Sequence, residues 1–305
     1  MSAHTGHQHG HHHHGDGEAG QDIDWDAMAA HLEREAELRA PFVTEAVAWL
    51  RDLLAAGGRD PDAVDRLLDV GSGPGVHSCL LAHAFPHAEV VAVDGTPSLL
   101  ERVRDRAARE GLAGRVHTRE AQLPDDMGGL GTADLTWTSH VVHHLGDQQA
   151  ALDALAGSVR PGGLLAIVER GLSPRFLPRD FGIGRPGLQS RLEALNEDWF
   201  TEMRLALPGH TDTVEDWPAM LARAGLTYAG TRTFLIDLPA PLDASVRTHL
   251  HAQLARYRDT LTDLLEPGDI PVLDALLDEE SPTGILQRPD AFYLTATTVH
   301  TGRAS

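Results

Sequence analysis

Three glycines follow an apolar run near residue 70, and they predict a loop that brings backbone N–H groups close to a ligand. The run Leu67–Val70 ends at Gly71, and Gly73 and Gly75 follow at alternate positions. Glycine permits the positive φ values and the close backbone approach that a ligand loop between a strand and a helix needs. Asp69 lies just before the loop, and a carboxylate there suits a cationic ligand better than a pyrophosphate.

A second carboxylate stands where it could hold the sugar of a nucleoside. Asp94 ends the apolar run Glu89–Asp94, 19 residues after Gly75. A carboxylate at this distance from a glycine loop can accept hydrogen bonds from both ribose hydroxyls. The dinucleotide fingerprint would place its third glycine at position 76, which is Val76 here, although a nicotinamide enzyme remains the alternative. The loop and the two carboxylates together favour a cationic nucleoside.

Histidines and a glutamate follow two later apolar runs, and they could move a proton. His140, His143 and His144 come after the run Ala133–Thr138, and Glu169 ends the run after that. A neutral imidazole is suited to act as a general base near pH 7, and a neighbouring carboxylate would orient it. The alternative is that these histidines cap the strand and line a cofactor pocket.

Short apolar runs alternate with helical stretches along residues 66–169. The runs are Arg66–Val70, Glu89–Asp94, Arg115–Glu120, Ala133–Thr138 and Leu164–Glu169, and the helical stretches are Val76–Phe85, Ser98–Gly111 and Gln148–Val159. Strands that alternate with helices predict a mostly parallel sheet with helices on both faces. Because ligands bind at the carboxyl ends of such strands, the residues described above are expected at one edge of the sheet.

The flanking segments divide into a tail, a helical cap and later elements. Residues 1–21 are polar and rich in histidine, which predicts a disordered tail, with metal binding by His11–His14 as the alternative. Residues 22–60 form the cap, and Pro41 is expected to begin its second helix. Beyond residue 170 we expect a loop, the helices Leu188–Leu207 and Asp216–Gly225, the strands Thr227–Leu238 and Phe292–Val299, and between these strands a helical insert at about 243–280.

These motifs resemble the class I S-adenosylmethionine-dependent methyltransferases that act on small molecules, of the methyltransferase-domain 25/11 type. The resemblance covers about residues 64–170 and includes Ser139–Leu145 and the turn Arg160–Gly163. It implies a Rossmann-like α/β fold over residues 61–305, with seven strands in the order 3-2-1-4-5-7-6. It also implies S-adenosylmethionine as the cofactor.

The resemblance assigns cofactor contacts to the ends of four strands. It implies that Asp69, Gly71, Ser72 and Gly73 surround the methionine part and that Asp94 holds the ribose. Gly95 stands where the family often has an apolar residue against adenine, and Arg119-Glu120-Ala121 stands where the family commonly has Gly-Asp-Ala. The complete expected cofactor set is Asp69, Gly71, Ser72, Gly73, Asp94, Gly95, Glu120, Ala121, Gln122, Ser139 and His140.

The expected reaction is methyl transfer to a hydroxyl or carboxylate oxygen of a small molecule, in secondary metabolism. Some O-methyltransferases of this family pair a histidine after the fourth strand with an acid after the fifth strand. That precedent implies His143 or His144 as the general base, oriented by Glu169. N-methylation or C-methylation is the alternative reaction, and a catalytically silent S-adenosylmethionine-binding protein is the alternative class.

Substrate selection is expected outside the strands, in two segments that cover the site at about 171–210 and 243–280. The first segment contains Arg179, Arg185 and Arg204, which could each bind a substrate carboxylate or phosphate. The alternative is that these arginines pair with the abundant acidic residues of the surface.

Composition excludes several kinds of partner. The formal net charge is −20, which disfavours nucleic acid and anionic membrane surfaces. The single cysteine, Cys79, rules out an internal disulfide and a thiol-rich metal site, and no metal ion is expected in the catalytic site. No apolar run is long enough to span a membrane, so we expect a cytoplasmic protein, with the oligomeric state left open and a homodimer among the options.

Overall fold

Seven strands form one mixed sheet in the order β3-β2-β1-β4-β5-β7-β6. The structure, a computed structural model, describes residues 25–305, so the predicted tail over residues 1–21 lies outside the described residues. The strands are β1 Arg66–Val70, β2 Glu89–Asp94, β3 Val116–Glu120, β4 Ala133–Ser139, β5 Val159–Arg175, β6 Thr227–Leu238 and β7 Tyr293–Arg303. Strands β1 to β5 are parallel, and β7 is antiparallel to both β5 and β6. The predicted fold class and strand order are confirmed.

Helices cover both faces of the sheet because successive strand residues point to opposite sides. The helices are α1 Trp25–Ala56, α2 Val76–Ala84, α3 Pro97–Arg109, α4 Gln148–Ala156, α5 Leu188–Leu205, α6 Trp217–Arg223, α7 Ala244–Thr260 and α8 Ile270–Leu277. Leu67 of β1 belongs to a core shared with α1, α2, α3, α5, α7 and α8. Its neighbour Leu68 belongs to the opposite core, which is shared with α4 and α6.

The N-terminal cap is one continuous helix, so the prediction that Pro41 begins a second helix is wrong. Pro41 lies inside α1, where a proline normally costs about 3 kcal/mol through a lost hydrogen bond and a steric clash. The half of α1 that follows Pro41 is deeply buried, with Phe42, Val43 and Leu50 no more than 1% exposed. Burial of several such side chains at about 1.5–3 kcal/mol each offsets the cost of the proline.

Strand β5 is longer than predicted, since the expected run ended at Glu169 and the strand continues to Arg175. The extension pairs with β7 through Leu172 and Arg175, with register shifts on either side of Leu172. A Cβ on Gly171 would lie 1.8 Å from the Ala296 carbonyl oxygen, so only glycine allows this approach. The loop predicted directly after residue 170 is therefore strand at its start, because β7 supplies a partner that is distant in sequence.

The two segments expected to cover the site pack on the same face of the sheet and contact each other. Arg191 of α5 forms a two-pronged ion pair with Asp269, with both Arg–carboxylate distances at 2.7 Å. Leu188, Leu192, Leu254 and Leu273 of these segments are buried in the core that also contains α1. Among the residues that the structure describes, no helix is long and apolar enough to cross a membrane.

Candidate cofactor and catalytic site

The glycine loop after β1 is held against the end of β2. Val70 is paired with Val93, and the Val93 carbonyl accepts the N–H groups of Gly71 at 2.8 Å and Ser72 at 2.9 Å. Gly71, Gly73 and Gly75 have φ values of 72°, 53° and 83°. These left-handed conformations are the ones that residues with a Cβ avoid, as the sequence predicted.

Asp94 fastens this loop through its side chain. Its Oδ2 accepts the Gly73 N–H at 2.9 Å, and its Oδ1 accepts the Thr96 N–H at 2.9 Å. Burial raises the pKa of Asp94, while these backbone donors act in the opposite direction. Each carboxylate oxygen accepts more than one hydrogen bond, so Asp94 can still take two ribose hydroxyls.

Asp69 lies beneath the loop and is only 1% exposed. The Ser78 hydroxyl of α2 donates to its Oδ2 at 2.5 Å. Burial raises the pKa of Asp69 to about 7, and the nearby Asp94 charge adds to the increase. The sequence motifs did not single out Ser78, although its place one helical turn after Gly75 puts it above the end of β1.

The end of β3 lies beside Asp94, as predicted. Glu120 is the register partner of Asp94 and is exposed, and the Ala121 N–H donates to the Asp94 carbonyl at 3.1 Å. The Gln122 amide donates to the Gly95 carbonyl at 3.1 Å. A Cβ on Gly95 would lie 3.0 Å from Gln122 Oε1, so Gln122 occupies space that a larger residue at position 95 would need.

His140 is held in an unusual conformation at the end of β4. Its φ of 57° is the only positive value recorded for a non-glycine residue in the described part of the chain. Arg39 of α1 donates to its Nε2 at 2.8 Å, and because arginine can only donate, His140 is neutral with its proton on Nδ1. Burial and the Arg39 charge lower the pKa of His140 to about 4.

His143 and Glu169 form a buried pair one residue layer further along this edge. His143 Nδ1 lies 2.7 Å from Glu169 Oε2, and Glu169 is 1% exposed. The other oxygen of Glu169 accepts the N–H groups of Val141 at 3.1 Å and Val142 at 2.9 Å. Burial alone would raise the pKa of Glu169, but His143 and these donors hold it below its usual value.

His144 lies against this pair without sharing its carboxylate. The rings of His143 and His144 have centroids 4.2 Å apart. Burial, with His143 as the next cause, lowers the pKa of His144 to about 3. Of the two histidines considered as the base, the structure therefore brings His143 and not His144 into hydrogen-bond contact with Glu169.

The arginines expected to bind substrate have other partners. Arg204 of α5 donates to the carbonyl groups of His143 at 2.5 Å and Leu145 at 3.1 Å, so it holds the histidine loop in place. Arg185 donates to both oxygens of Glu266. Arg39, which the sequence did not single out, contacts the site instead, because α1 carries it across the sheet to His140.

A metal ion fits this site poorly. His140, His143 and Glu169 have ligand atoms within 4.8 Å of one another, and they form the one such group found in the described chain. Both oxygens of Glu169 are already bound by N–H donors. The Arg39 guanidinium beside His140 would also repel a cation.

The residues at this edge fit S-adenosylmethionine. The hydroxyls of Ser72 and Ser139 are buried and lack a hydrogen-bond partner among the described residues. A Cβ on Gly71 would lie 2.2 Å from Val141, so the loop passes directly over the end of β4. Two carboxylates, two hydroxyls and a glycine backbone thus converge where a sulfonium nucleoside needs acceptors and close contact.

Comparison with known proteins gives a domain match and more distant full-length similarity. Residues 67–163 match the family described as "Methyltransferase domain". The chain is 35% identical over 127 residues to a trans-aconitate 2-methyltransferase of Methylobacterium radiotolerans, covering 41% of this chain and 45% of that protein. It is 31% identical over 155 residues to a malonyl-[acyl-carrier protein] O-methyltransferase of Laribacter hongkongensis, covering 48% of this chain and 49% of that protein. The chain thus spans less than half the length of these two relatives.

One of the solved structures that align with this chain contains a bound nucleoside. It is an S-adenosylmethionine-dependent methyltransferase from Geobacter sulfurreducens in complex with S-adenosyl-L-homocysteine. The identity is 18%, the TM-score is 0.46, and the alignment covers 88% of this chain and 98% of the other.

Proposed function

Since residues 67–163 belong to the class I S-adenosylmethionine-dependent methyltransferase domain family, we propose that this chain methylates an oxygen atom of a small molecule. S-adenosylmethionine supplies the methyl group on a sulfonium that is already a good leaving group. The protein must therefore bind it, align the acceptor and exclude water. Asp69, Gly71, Ser72, Gly73 and Asp94 are proposed to hold the nucleoside and its methionine part.

The remaining proposed cofactor contacts come from the neighbouring strand ends. Gly95, Glu120, Ala121 and Gln122 are expected on the adenine side, because they follow β2 and β3. Ser139 and His140 are expected on the methionine side, because they follow β4.

The hydrogen bond between His143 and Glu169 carries the proposal that the acceptor is a hydroxyl. An ionised Glu169 accepts from Nδ1–H, which leaves Nε2 of His143 with a lone pair. That nitrogen can take the hydroxyl proton while the oxygen lone pair forms the bond to the methyl carbon. The carbon–sulfur bond breaks in the same step, and its electron pair remains on sulfur. Glu169 then stabilises the imidazolium.

A carboxylate acceptor is the second candidate, and the names of the relatives favour it. Both the trans-aconitate and the malonyl enzymes are named for substrates that carry carboxyl groups. A carboxylate is ionised near neutral pH, so its methylation needs no general base. N-methylation or C-methylation would instead give a product methylated at nitrogen or carbon, and a silent binding protein would give no product.

Two measurements test the proposal in sequence. Calorimetry with S-adenosylhomocysteine should give saturable binding to the full chain, and the absence of binding would contradict the whole proposal. Turnover with labelled S-adenosylmethionine and an extract of small metabolites then identifies a methylated product, whereas binding without any product would favour the silent protein.

The His143→Ala variant distinguishes the two acceptor chemistries. Loss of a general base should lower kcat by about 10²–10⁴-fold for a hydroxyl acceptor, while S-adenosylhomocysteine affinity stays unchanged. Replacement of the exposed His83 of α2, which pairs with Glu110, is the matched control. If His143→Ala and His144→Ala both retain near-normal turnover, a base is unnecessary and the carboxylate acceptor is favoured.

A further inference from the structure

A polar cavity of about 170 Å³ lies beyond His140, between α1, α5, α7 and the start of β7. The residues that matter for its chemistry are Glu35, Arg39, His249, Gln253, Arg256 and Tyr293. Its size is below the ~300–1,000 Å³ typical of pockets for drug-sized ligands, so it suits a compact molecule or one end of a larger one.

Several buried polar atoms of this cavity lack a hydrogen-bond partner. They are Arg39 Nε, His249 Nδ1, Gln253 Oε1 and the Tyr293 hydroxyl, counted over the residues that the structure describes. His249 is only 4% exposed and Tyr293 is 0% exposed. Unpaired polar groups at such burial are costly, each by ~1–3 kcal/mol. A polar ligand would satisfy them.

The charges around the cavity favour an anion. Glu35 is ionised, because Arg39 overcomes the effect of burial and lowers its pKa to about 2, but its charge is matched by the ion pair with Arg39 at 2.7 Å. Burial lowers the pKa values of His31 and His249, so both rings are neutral at pH 7. Arg256 has no ion pair in the described part of the chain, which leaves one net positive charge beside the cavity.

Arg39 connects the cavity to the proposed catalytic pair. Its guanidinium lines the cavity and also donates to His140 at 2.8 Å. The ring of His140 lies 6.2 Å from the ring of His143, centroid to centroid. A molecule whose anionic end lies in the cavity can therefore extend past His140 toward the base.

We propose that this cavity recognises a carboxylate of the methyl acceptor, held by Arg39, Tyr293 and Arg256. The acceptor is then a small hydroxy acid or polycarboxylic acid, and the carboxylate in the cavity is distinct from the oxygen that is methylated. This inference rests on the proposed function, because it treats the cavity as part of the acceptor site.

The test uses the full chain saturated with S-adenosylhomocysteine and measures acid binding by calorimetry. The probes are trans-aconitate, its neutral trimethyl ester and malonate. The variants are Arg256→Gln and Tyr293→Phe, with Arg258→Gln as the matched control. Arg258 is on the same helix but pairs with Asp274 at 2.9 Å and does not line the cavity.

We expect at least one acid to bind while the ester does not. Arg256→Gln and Tyr293→Phe should each weaken that binding by about tenfold, since hydrogen bonds to a charged group are worth about 1.5–3 kcal/mol. Arg258→Gln should change the affinity by less than about twofold, because an exposed ion pair contributes little.

Three results would overturn the inference. These are no binding of either acid, equal binding of the acid and the ester, or acid binding that both cavity variants leave unchanged. Failure of the proposed function would be seen separately, as loss of S-adenosylhomocysteine binding in the first titration.

Discussion

His143 Nδ1 lies 2.7 Å from Glu169 Oε2, and this contact joins the loop after β4 to the interior of β5. Glu169 also accepts the backbone N–H groups of Val141 and Val142, so one buried carboxylate fixes both the loop and the imidazole. The tautomer of His143 is set by this contact, since a carboxylate with no proton can only accept. The fold thus leaves the opposite nitrogen of the ring for chemistry.

Replacement of Glu169 by glutamine should lower turnover more than it lowers binding. The amide retains an oxygen for the backbone donors but removes the charge that stabilises a protonated His143. We expect kcat to fall by about 10²-fold or more for a hydroxyl acceptor, with S-adenosylhomocysteine affinity within about threefold. Steady-state kinetics and calorimetry measure the two effects. A KM increase with unchanged kcat would contradict the orienting role.

Replacement of Asp94 by asparagine should weaken cofactor binding. Asparagine offers one acceptor oxygen, so it cannot receive the Gly73 N–H, the Thr96 N–H and two ribose hydroxyls as a carboxylate can. The dissociation constant for S-adenosylhomocysteine should rise by about 10–100-fold, corresponding to about 1.4–2.8 kcal/mol. Glu89→Gln, at the exposed start of the same strand, is the control. Equal affinities in both variants would remove Asp94 from the site.

The raised pKa of Asp69 makes stability depend on pH. Burial raises this pKa to about 7 from 3.8, so the folded protein binds more protons than the unfolded chain between these values. Stability from this group is therefore complete below about pH 4 and is lost as the pH rises toward 7. Between pH 5 and pH 8 the ligand-free protein should lose up to about 3 kcal/mol that Asp69→Asn does not lose.

Urea unfolding of both proteins at several pH values measures this difference. Asp105→Asn, at an exposed position of α3, is the control and should follow the wild-type dependence on pH. If Asp69→Asn has the same slope of stability against pH as the wild type, Asp69 does not titrate in this range.

Asp134 is predicted to be a major contributor to stability, at the end of the sheet opposite the site. It is 0% exposed, forms ion pairs with Arg59 and with Arg160, and accepts the N–H groups of Asp65 and Arg66. Asp134→Asn should reduce the free energy of unfolding by about 2 kcal/mol, because charge-assisted hydrogen bonds become neutral ones. Chemical denaturation measures the change. Asp153→Asn on the exposed face of α4 should have almost no effect, and comparable losses in the two variants would contradict the prediction.

The sequence by itself determined the ligand loop and the strands beside it. Asp69, Gly71 and Asp94 are readable because a strand, a positive-φ loop and a strand end have local signatures in residue type and spacing. The alternation of strands and helices likewise determined the strand order, since parallel connections are restricted to few arrangements. These features depend on neighbours within a short stretch of chain.

Only the tertiary structure decided which side chains meet around the proposed base. His143 and His144 are adjacent in sequence, and the backbone path after β4 selects His143 as the partner of Glu169. Arg39 reaches His140 from 101 residues away, because α1 packs across the sheet as one helix in spite of Pro41. Such contacts arise from burial of whole helix faces, and local residue spacing carries no information about them.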